Sequence, residues 1–237
     1  MGRFSRIAEE VARACPRQKM LGTVRSLAPG GGEVKVWQVD GVCVRKYLDE
    51  EFTNYACHHD FDFIPEDEFW LDEEGSPDEV DFFVERLRVK HGLMEQGVSE
   101  EDAEDEAGKA EMAVRLSMGE ADEGRSDVKL GLLGRLKDGT EVWLVDGKKV
   151  RSRLDSDFTE GGHGYVYDYV LKGEVWIDND VVERERGFVL FHELHERNLM
   201  KDEGWDYEKA HEESSGLELG LRKEPEGLGD ALVKEGW

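Results

Sequence analysis

The sequence predicts an α+β protein formed by tandem duplication, in which each copy is a small antiparallel β-sheet followed by two α-helices. Two observations lead to this prediction: a long internal repeat, and in each copy a change from β-forming to helix-forming patterns along the chain. With 237 residues, the chain is long enough for two small domains that each bury a core.

The repeat is clearest in the first half of each copy. The segment VWQVDGVCVRKYLDEEFT (36–53) matches VWLVDGKKVRSRLDSDFT (142–159) without a gap. The same register continues to Met94 in the first copy and Met200 in the second, after which the second copy gains one residue. Such self-similarity indicates two copies of one structural unit.

The extent of the repeat sets the predicted domain boundaries. We predict a first repeat over residues 20–117, a linker over 118–129 and a second repeat over 130–219. Residues 1–19 are predicted to carry an amphipathic N-terminal helix. Residues 220–237 are expected to form a loosely held C-terminal tail.

Three segments of the second copy have the residue patterns of strands. In residues 142–150, β-forming residues flank an Asp-Gly dipeptide, which predicts a hairpin with a primed turn. Tyrosines alternate along residues 163–171, and residues 173–178 are rich in β-forming types. The aligned segments of the first copy predict the same small sheet.

Two helices are predicted after the strands. Residues 186–200 have the length and apolar spacing of a helix. A second helix is expected to open at Asp206, and its equivalent at Ser99, where Ser-Glu-Glu-Asp forms a capping-box pattern.

The composition excludes some classes of function. The formal net charge is −25 and no basic face is evident, so direct nucleic-acid binding is not expected. No apolar run approaches the length of about 18 residues that suggests a membrane span. Cys15, Cys43 and Cys57 have no close pairing, which favours a reducing, cytoplasmic location. The acidity itself is explained by solubility, or alternatively by a basic partner.

The segment FHELHE (191–196) carries the strongest candidate chemistry. His192 and Glu196 are four residues apart and therefore lie on one face of the predicted helix. His211 lies on the next helix and is able to fold back against the first. Imidazole and carboxylate donors suit Zn²⁺ or a similar divalent ion, so we predict a metal site at His192, Glu196 and His211.

The first copy has different residues at the same three positions. Arg86, Lys90 and Glu104 align with His192, Glu196 and His211. Two cations and one anion do not bind a metal ion well, but they can pair with one another. We therefore predict an ion network, and no metal site, in the degenerate first copy.

This arrangement resembles the zincin type of metallohydrolase, in which a helix bearing HExxH follows an edge strand. The resemblance covers residues 174–218, and His192 and Glu193 match the first two motif positions. It implies that Glu193 is the catalytic base that activates a water. The sequence departs from the motif at Glu196, where the family has a second histidine. The pattern is also similar to uncharacterised phage and prokaryotic proteins, a likeness that implies no activity.

Three further residues are predicted to support the metal ligands from behind: His195, Glu218 and His163. Each also has a structural interpretation. His195 aligns with the apolar Val89, Glu218 is shared with the first copy, and His163 lies in a Gly-rich segment typical of a surface loop. Cys57, His58 and His59, in the first copy, show no spacing typical of a designed metal site.

Three hypotheses about function follow. The first is a zinc-dependent hydrolase, peptidase-like in type, that acts on a peptide or protein and is active only in the second repeat. The second is a protein in which the metal only joins two helices. The third is a non-catalytic acidic interaction or inhibitor protein of a phage type, which mimics nucleic acid and in which a metal is structural or absent.

Overall fold

The computed structural model describes residues 15–118 and 128–237. The central part of the predicted linker and most of the predicted N-terminal helix lie outside these residues. Residues 15–18 are not helical, and residue 19 begins the first strand. The chain divides into two compact units, Met1–Asp122 and Glu123–Trp237.

The two units contain the same elements in the same order. In the first unit these are β1 (Lys19–Arg25), β2 (Glu33–Val39), α1 (Gly41–Tyr47), β3 (Tyr55–Ala56), β4 (Glu68–Asp72), α2 (Val80–Met94) and α3 (Glu100–Ser117). In the second unit they are β5 (Lys129–Arg135), β6 (Glu141–Val145), α4 (Gly147–Arg153), β7 (Gly161–His163), β8 (Glu174–Asp178), α5 (Arg186–Asn198), α6 (Tyr207–Lys223) and the additional helix α7 (Leu228–Lys234). The predicted fold class, an α+β duplication with two helices after each sheet, is confirmed.

Each sheet has four strands, in the order β1-β2-β4-β3 and β5-β6-β8-β7. The outer pairs are antiparallel and the central pair is parallel. The central pairs share one register, in which Trp37 lies opposite Trp70 and Trp143 lies opposite Trp176. β7 therefore lies at an edge of the second sheet.

The predicted Asp-Gly hairpin is wrong, because this dipeptide begins a helix. Oδ1 of Asp40 accepts a hydrogen bond from the backbone N–H of Cys43 at 2.9 Å and caps α1, and Asp146 caps α4 in the same way. Gly41 is required because the carboxylate of Asp72 lies against its Cα. A Cβ at Gly41 would lie 1.8 Å from Oδ2 of Asp72, so only glycine fits there. The helix then supplies part of the crossover that the parallel pair requires.

The strand predicted over residues 163–171 is also wrong. β7 ends at His163 and the chain continues in turns as far as β8. The alternation arises because Tyr167 and Tyr169 contact each other in a tilted arrangement, at 5.1 Å between centroids, and pack against the sheet with Phe158 and Trp176.

The central strand β8 is buried on both faces of its sheet. All five residues of β8 are buried. Val175 and Ile177 pack with Leu194 of α5 on one face, whereas Trp176 packs with Phe158 on the other. The central strand thus fixes the position of α5, on which the candidate metal ligands lie.

The C-terminal tail is packed, contrary to the expectation of a loose segment. α6 continues to Lys223, and α7 packs against α5 through Leu232. Trp237 covers Gly134 of β5, where a Cβ would lie 2.4 Å from the indole ring. No residue of α7 is fully buried, but its apolar face, through Leu232, packs on the core of the unit.

The prediction that the three cysteines stay unpaired is wrong. Cys15 and Cys43 form a disulfide although they are 28 residues apart, because the fold brings their Cα atoms to 5.6 Å. Cys57 is free and buried. Among the described residues, no helix combines the length and apolar character needed to span a membrane.

Candidate metal centre

Three elements of the second unit carry the residues that the repeat comparison singled out. β7 carries His163, α5 carries His192, Glu193 and Glu196, and α6 carries His211 and Glu218. α6 packs against α5 after a π-helical turn, Leu199–Glu203, at the point where the second copy gains its extra residue. An inserted residue is therefore accommodated in the turn that brings His211 back toward α5.

The predicted ligands converge as expected. Nε2 of His192 lies 3.1 Å from Nδ1 of His211 and 3.5 Å from Oε2 of Glu196. Nδ1 of His211 lies 2.9 Å from the same Oε2. Tetrahedral zinc with bonds of about 2.0–2.1 Å separates its ligand atoms by about 3.3 Å. The three atoms thus form a triangle of the size that one zinc ion requires.

Glu218 orients His192 from behind. Its Oε2 lies 3.0 Å from Nδ1 of His192, and its Oε1 accepts a hydrogen bond from Arg222 at 2.8 Å. Burial alone would raise the pKa of Glu218, but His192 and Arg222 outweigh burial and lower it. An ionised Glu218 accepts a hydrogen bond from the Nδ1–H of His192, so Nε2 is the nitrogen that would be available to a metal ion.

His163 holds Glu196, another of the three predicted ligands. The backbone N–H of Tyr165 donates to Nδ1 of His163 at 3.3 Å, which leaves the ring proton on Nε2. Nε2 then donates to Oε1 of Glu196 at 2.9 Å, while Oε2 faces the two histidines. His163 is fully buried on β7, so its interpretation as a surface-loop residue is wrong, and its ring lies against Glu196.

Glu193 lies beside the ligands and next to β7. It is half-buried, and a Cβ on Gly161 would lie 2.9 Å from its Oε1. A carboxylate oxygen of Glu193, one of Glu196 and a ring nitrogen of His163 all lie within 4.8 Å of one another. Burial and, next, repulsion by Glu196 raise the pKa of Glu193 to about 8, against the attraction of His192 and His211.

The structure places His195 outside this cluster, contrary to the expected supporting role. Its ring stacks on Phe191, and its Nδ1 lies 2.9 Å from Oε1 of Glu235 on the segment after α7. His195 lies three residues after His192, and this spacing rotates its side chain by about 60° around the helix axis relative to that of His192. His195 therefore points toward α7. There it lines an apolar cleft of about 720 Å³ between α5, α6 and α7.

The first unit confirms the predicted ion network. Nε and Nη2 of Arg86 donate to Oε1 of Glu104 at 2.9 and 2.6 Å, and Nζ of Lys90 lies 2.8 Å from Oε2 of Glu104. Glu111, which aligns with Glu218, pairs with Arg86 at 3.2 Å and with Arg115 at 2.7 Å. The same glutamate therefore supports an arginine in one unit and a histidine in the other.

Two further changes between the units affect the centre. Cys57 stands at the position of His163, and Leu87 at the position of Glu193, and both are fully buried. Burial, chiefly, raises the pKa of Cys57 to about 12, so its thiol stays protonated. The repeat alignment thus shows Glu193 at the position of a buried leucine. This substitution favours a chemical role for Glu193.

No protein-family model, curated protein or solved structure that was compared with the chain matches it. The geometry of the site therefore carries the argument about function.

Proposed function

We propose that the second unit is a zinc-type metal centre that catalyses hydrolysis of a peptide-like bond. The observation that carries this proposal is the convergence of Nε2 of His192, Nδ1 of His211 and Oε2 of Glu196, in which hydrogen bonds from behind aim two of the three donors. Two imidazoles and one carboxylate form a known catalytic zinc set.

The donors fit such an ion chemically. Nitrogen and carboxylate oxygen donors favour Zn²⁺ over the hard cations Mg²⁺ and Ca²⁺, which take oxygen ligands. The side chain of Glu196 is 4 % exposed and that of His192 12 %, whereas that of His211 is 32 % exposed. The centre is therefore enclosed on the α5 side and open on the side of His211, as a catalytic site with a vacant position requires.

A bound metal ion supplies Lewis acidity, which lowers the pKa of a water and polarises a carbonyl. The protein contributes Glu193, whose carboxyl group lies beside the proposed ligands. Burial and the charge of Glu196 raise its pKa, and a bound divalent ion would offset this effect and favour the carboxylate, which could then accept a proton. Its neighbour Gly161 belongs to β7, whose three residues are all buried. Peptide or protein as the substrate class therefore rests on the match of His192 and Glu193 to the zincin motif.

The first test is metal binding by the full chain, purified without an affinity tag. We expect elemental analysis to find zinc, and added Zn²⁺ to raise the melting temperature of chelator-treated protein. His192→Ala should abolish binding at this centre. His195→Ala, a histidine on the same helix but outside the cluster, is the matched control and should leave binding unchanged. A chain that neither contains metal nor responds to Zn²⁺ overturns the proposal.

The second test separates catalysis from a purely structural metal. Glu193→Gln should retain zinc and the fold but lose hydrolysis of a mixture of quenched fluorescent peptides by at least about 100-fold, since a general base contributes typically 10²–10⁴-fold. If the wild-type, zinc-loaded chain hydrolyses none of them while His192→Ala and His211→Ala lower the melting temperature, the metal joins α5 to α6 and the hydrolase is excluded.

A further inference from the structure

A second group of side chains able to bind a metal lies in the first unit. Its positions do not align with His192, Glu196 and His211 of the second unit. His58 and His59 are in the turn after β3, His91 is in the last turn of α2, and Glu95 caps the end of that helix. One donor atom from each of the four residues lies within 4.8 Å of the other three. His91 and Glu95 are four residues apart and share one helical face.

The spacing of the donors suits a single ion. Oε1 of Glu95 lies 3.4 Å from Nε2 of His58 and 3.3 Å from Nε2 of His59. These distances match the separation of about 3.3 Å between two ligands of a tetrahedral zinc ion. The rings of His58 and His59 lie 3.9 Å apart between centroids and are tilted by 38°, and the ring of His91 lies 5.2 Å from that of His58.

The nitrogen atoms of this cluster lack the partners that burial normally demands. His91 is 5 % exposed, and its Nδ1 is buried without a hydrogen-bond partner. Nε2 of His59, which faces Oε1 of Glu95, is likewise buried and makes no hydrogen bond. A buried polar atom left unsatisfied costs about 1–3 kcal/mol. Two such nitrogens among three adjacent histidines indicate a missing ligand that they share.

The second unit provides an internal comparison. Gly164 and Tyr165 align with His58 and His59, and Arg197 and Lys201 align with His91 and Glu95. Both cations pair with Asp138, at 3.2 and 2.9 Å. At these positions the second unit therefore has an ion network and the first unit has histidines. At the positions of His192, Glu196 and His211 the opposite holds: the first unit has the ion network.

The surroundings favour a cation. A cleft of about 380 Å³ begins at His58 and is lined by Asp62, Glu66 and Asp67. A cleft lined by one sign of charge raises the local concentration of ions of the opposite sign. The cluster therefore has an acidic approach from solvent.

We infer that the first unit binds a second zinc-type ion through His58, His59, His91 and Glu95. Four protein donors fill the tetrahedral positions, which is typical of a structural site and leaves no place for a substrate. The ion would join the turn after β3 to the end of α2, two segments more than 30 residues apart in sequence. Its role is to stabilise the first unit, and it is independent of the hydrolase proposed for the second.

Cobalt titration of the chelator-treated full chain tests this inference, because tetrahedral Co²⁺ absorbs visible light. We expect two tight equivalents in the wild type and one in the double variant His192→Ala/His211→Ala. In that background, Glu95→Gln and His58→Gln should each weaken the remaining equivalent by at least about 100-fold, beyond the 10–100-fold typical of supporting residues. The carboxylate of Glu95 is 40 % exposed, so its substitution leaves the packing of α2 intact.

Two results would overturn the inference. One is a double variant that binds no tight equivalent. The other is an equivalent that survives Glu95→Gln and His58→Gln with unchanged affinity, which would be adventitious surface binding only. Absence of the centre proposed at His192, Glu196 and His211 would give a different result. The wild type would then bind a single equivalent of Co²⁺, whose affinity Glu95→Gln lowers and His192→Ala does not.

Discussion

Nδ1 of His192 lies 3.0 Å from Oε2 of Glu218, and this contact joins α5 to α6 at the point where the two units of the chain differ most in chemistry. In the first unit the aligned Glu111 faces Arg86 instead. The carboxylate is thus a shared part of the fold that acquires a supporting role only where a histidine stands opposite it.

Replacing this carboxylate should weaken metal binding without removing a ligand. Glu218→Gln takes away the charge that fixes the tautomer of His192, and we expect zinc affinity at the second-unit centre to fall by about 10–100-fold. Glu111→Gln is the matched control, because it breaks the equivalent arginine pair in the first unit. Competition with a chromophoric chelator measures both. Equal losses of affinity in the two variants would show that the effect is general destabilisation.

His163 should be replaceable by the residue that the first unit has in its place. His163→Cys removes the hydrogen bond to Glu196, and the buried Cys57 shows that a thiol fits this position in the fold. We expect a circular dichroism spectrum like that of the wild type and a zinc affinity lowered by roughly 10-fold or more. Unchanged affinity would mean that Glu196 needs no support from β7.

Gly161 offers a test of the position of Glu193. In Gly161→Ala the new Cβ would lie 2.9 Å from Oε1 and 3.0 Å from Cγ of Glu193, so the carboxylate must move. The expected result is a fall in kcat of at least about 10-fold with zinc content unchanged, since a small displacement of a catalytic group costs much of its effect. A variant with wild-type kcat would argue that Glu193 does not act at its observed position.

The ion network of the first unit should make its stability depend on pH. Burial alone would raise the pKa of Glu104, but Lys90 and Arg86 outweigh it and hold the pKa below its ordinary value of 4.5. A carboxyl group with a lowered pKa stabilises the folded state above about pH 4.5, and this contribution is lost as the pH falls through the lower folded-state pKa.

Thermal unfolding between pH 3 and 7 measures this dependence. Glu104→Gln should melt at a lower temperature than the wild type at pH 7, and the difference should shrink as the pH falls below 4.5. Glu106→Gln, on the exposed side of the same helix, is the control and should show little difference at any pH. A gap between wild type and Glu104→Gln that stays constant with pH would contradict the assignment.

The helices and the exchange of site residues were predictable because both depend on local relations. His192 and Glu196 are one turn apart, and the repeat alignment compares each position with its own counterpart. The parallel strand pair was not predictable in this way: Asp40-Gly41 has the composition of a hairpin turn, and only the carboxylate of Asp72, 31 residues away, makes that glycine part of a crossover.

By itself, the sequence determined the duplication, the fold class, the helix that carries FHELHE and the concerted replacement of His192, Glu196 and His211. Tertiary structure decided that His163 contacts Glu196 and that Glu218 contacts His192. It also decided that His195 turns away from them, and that His91 and Glu95 meet a pair of adjacent histidines. The reason is physical. Helical periodicity is set by neighbours along the chain, whereas the partner of a buried nitrogen or carboxylate depends on which distant segments the packed core brings together.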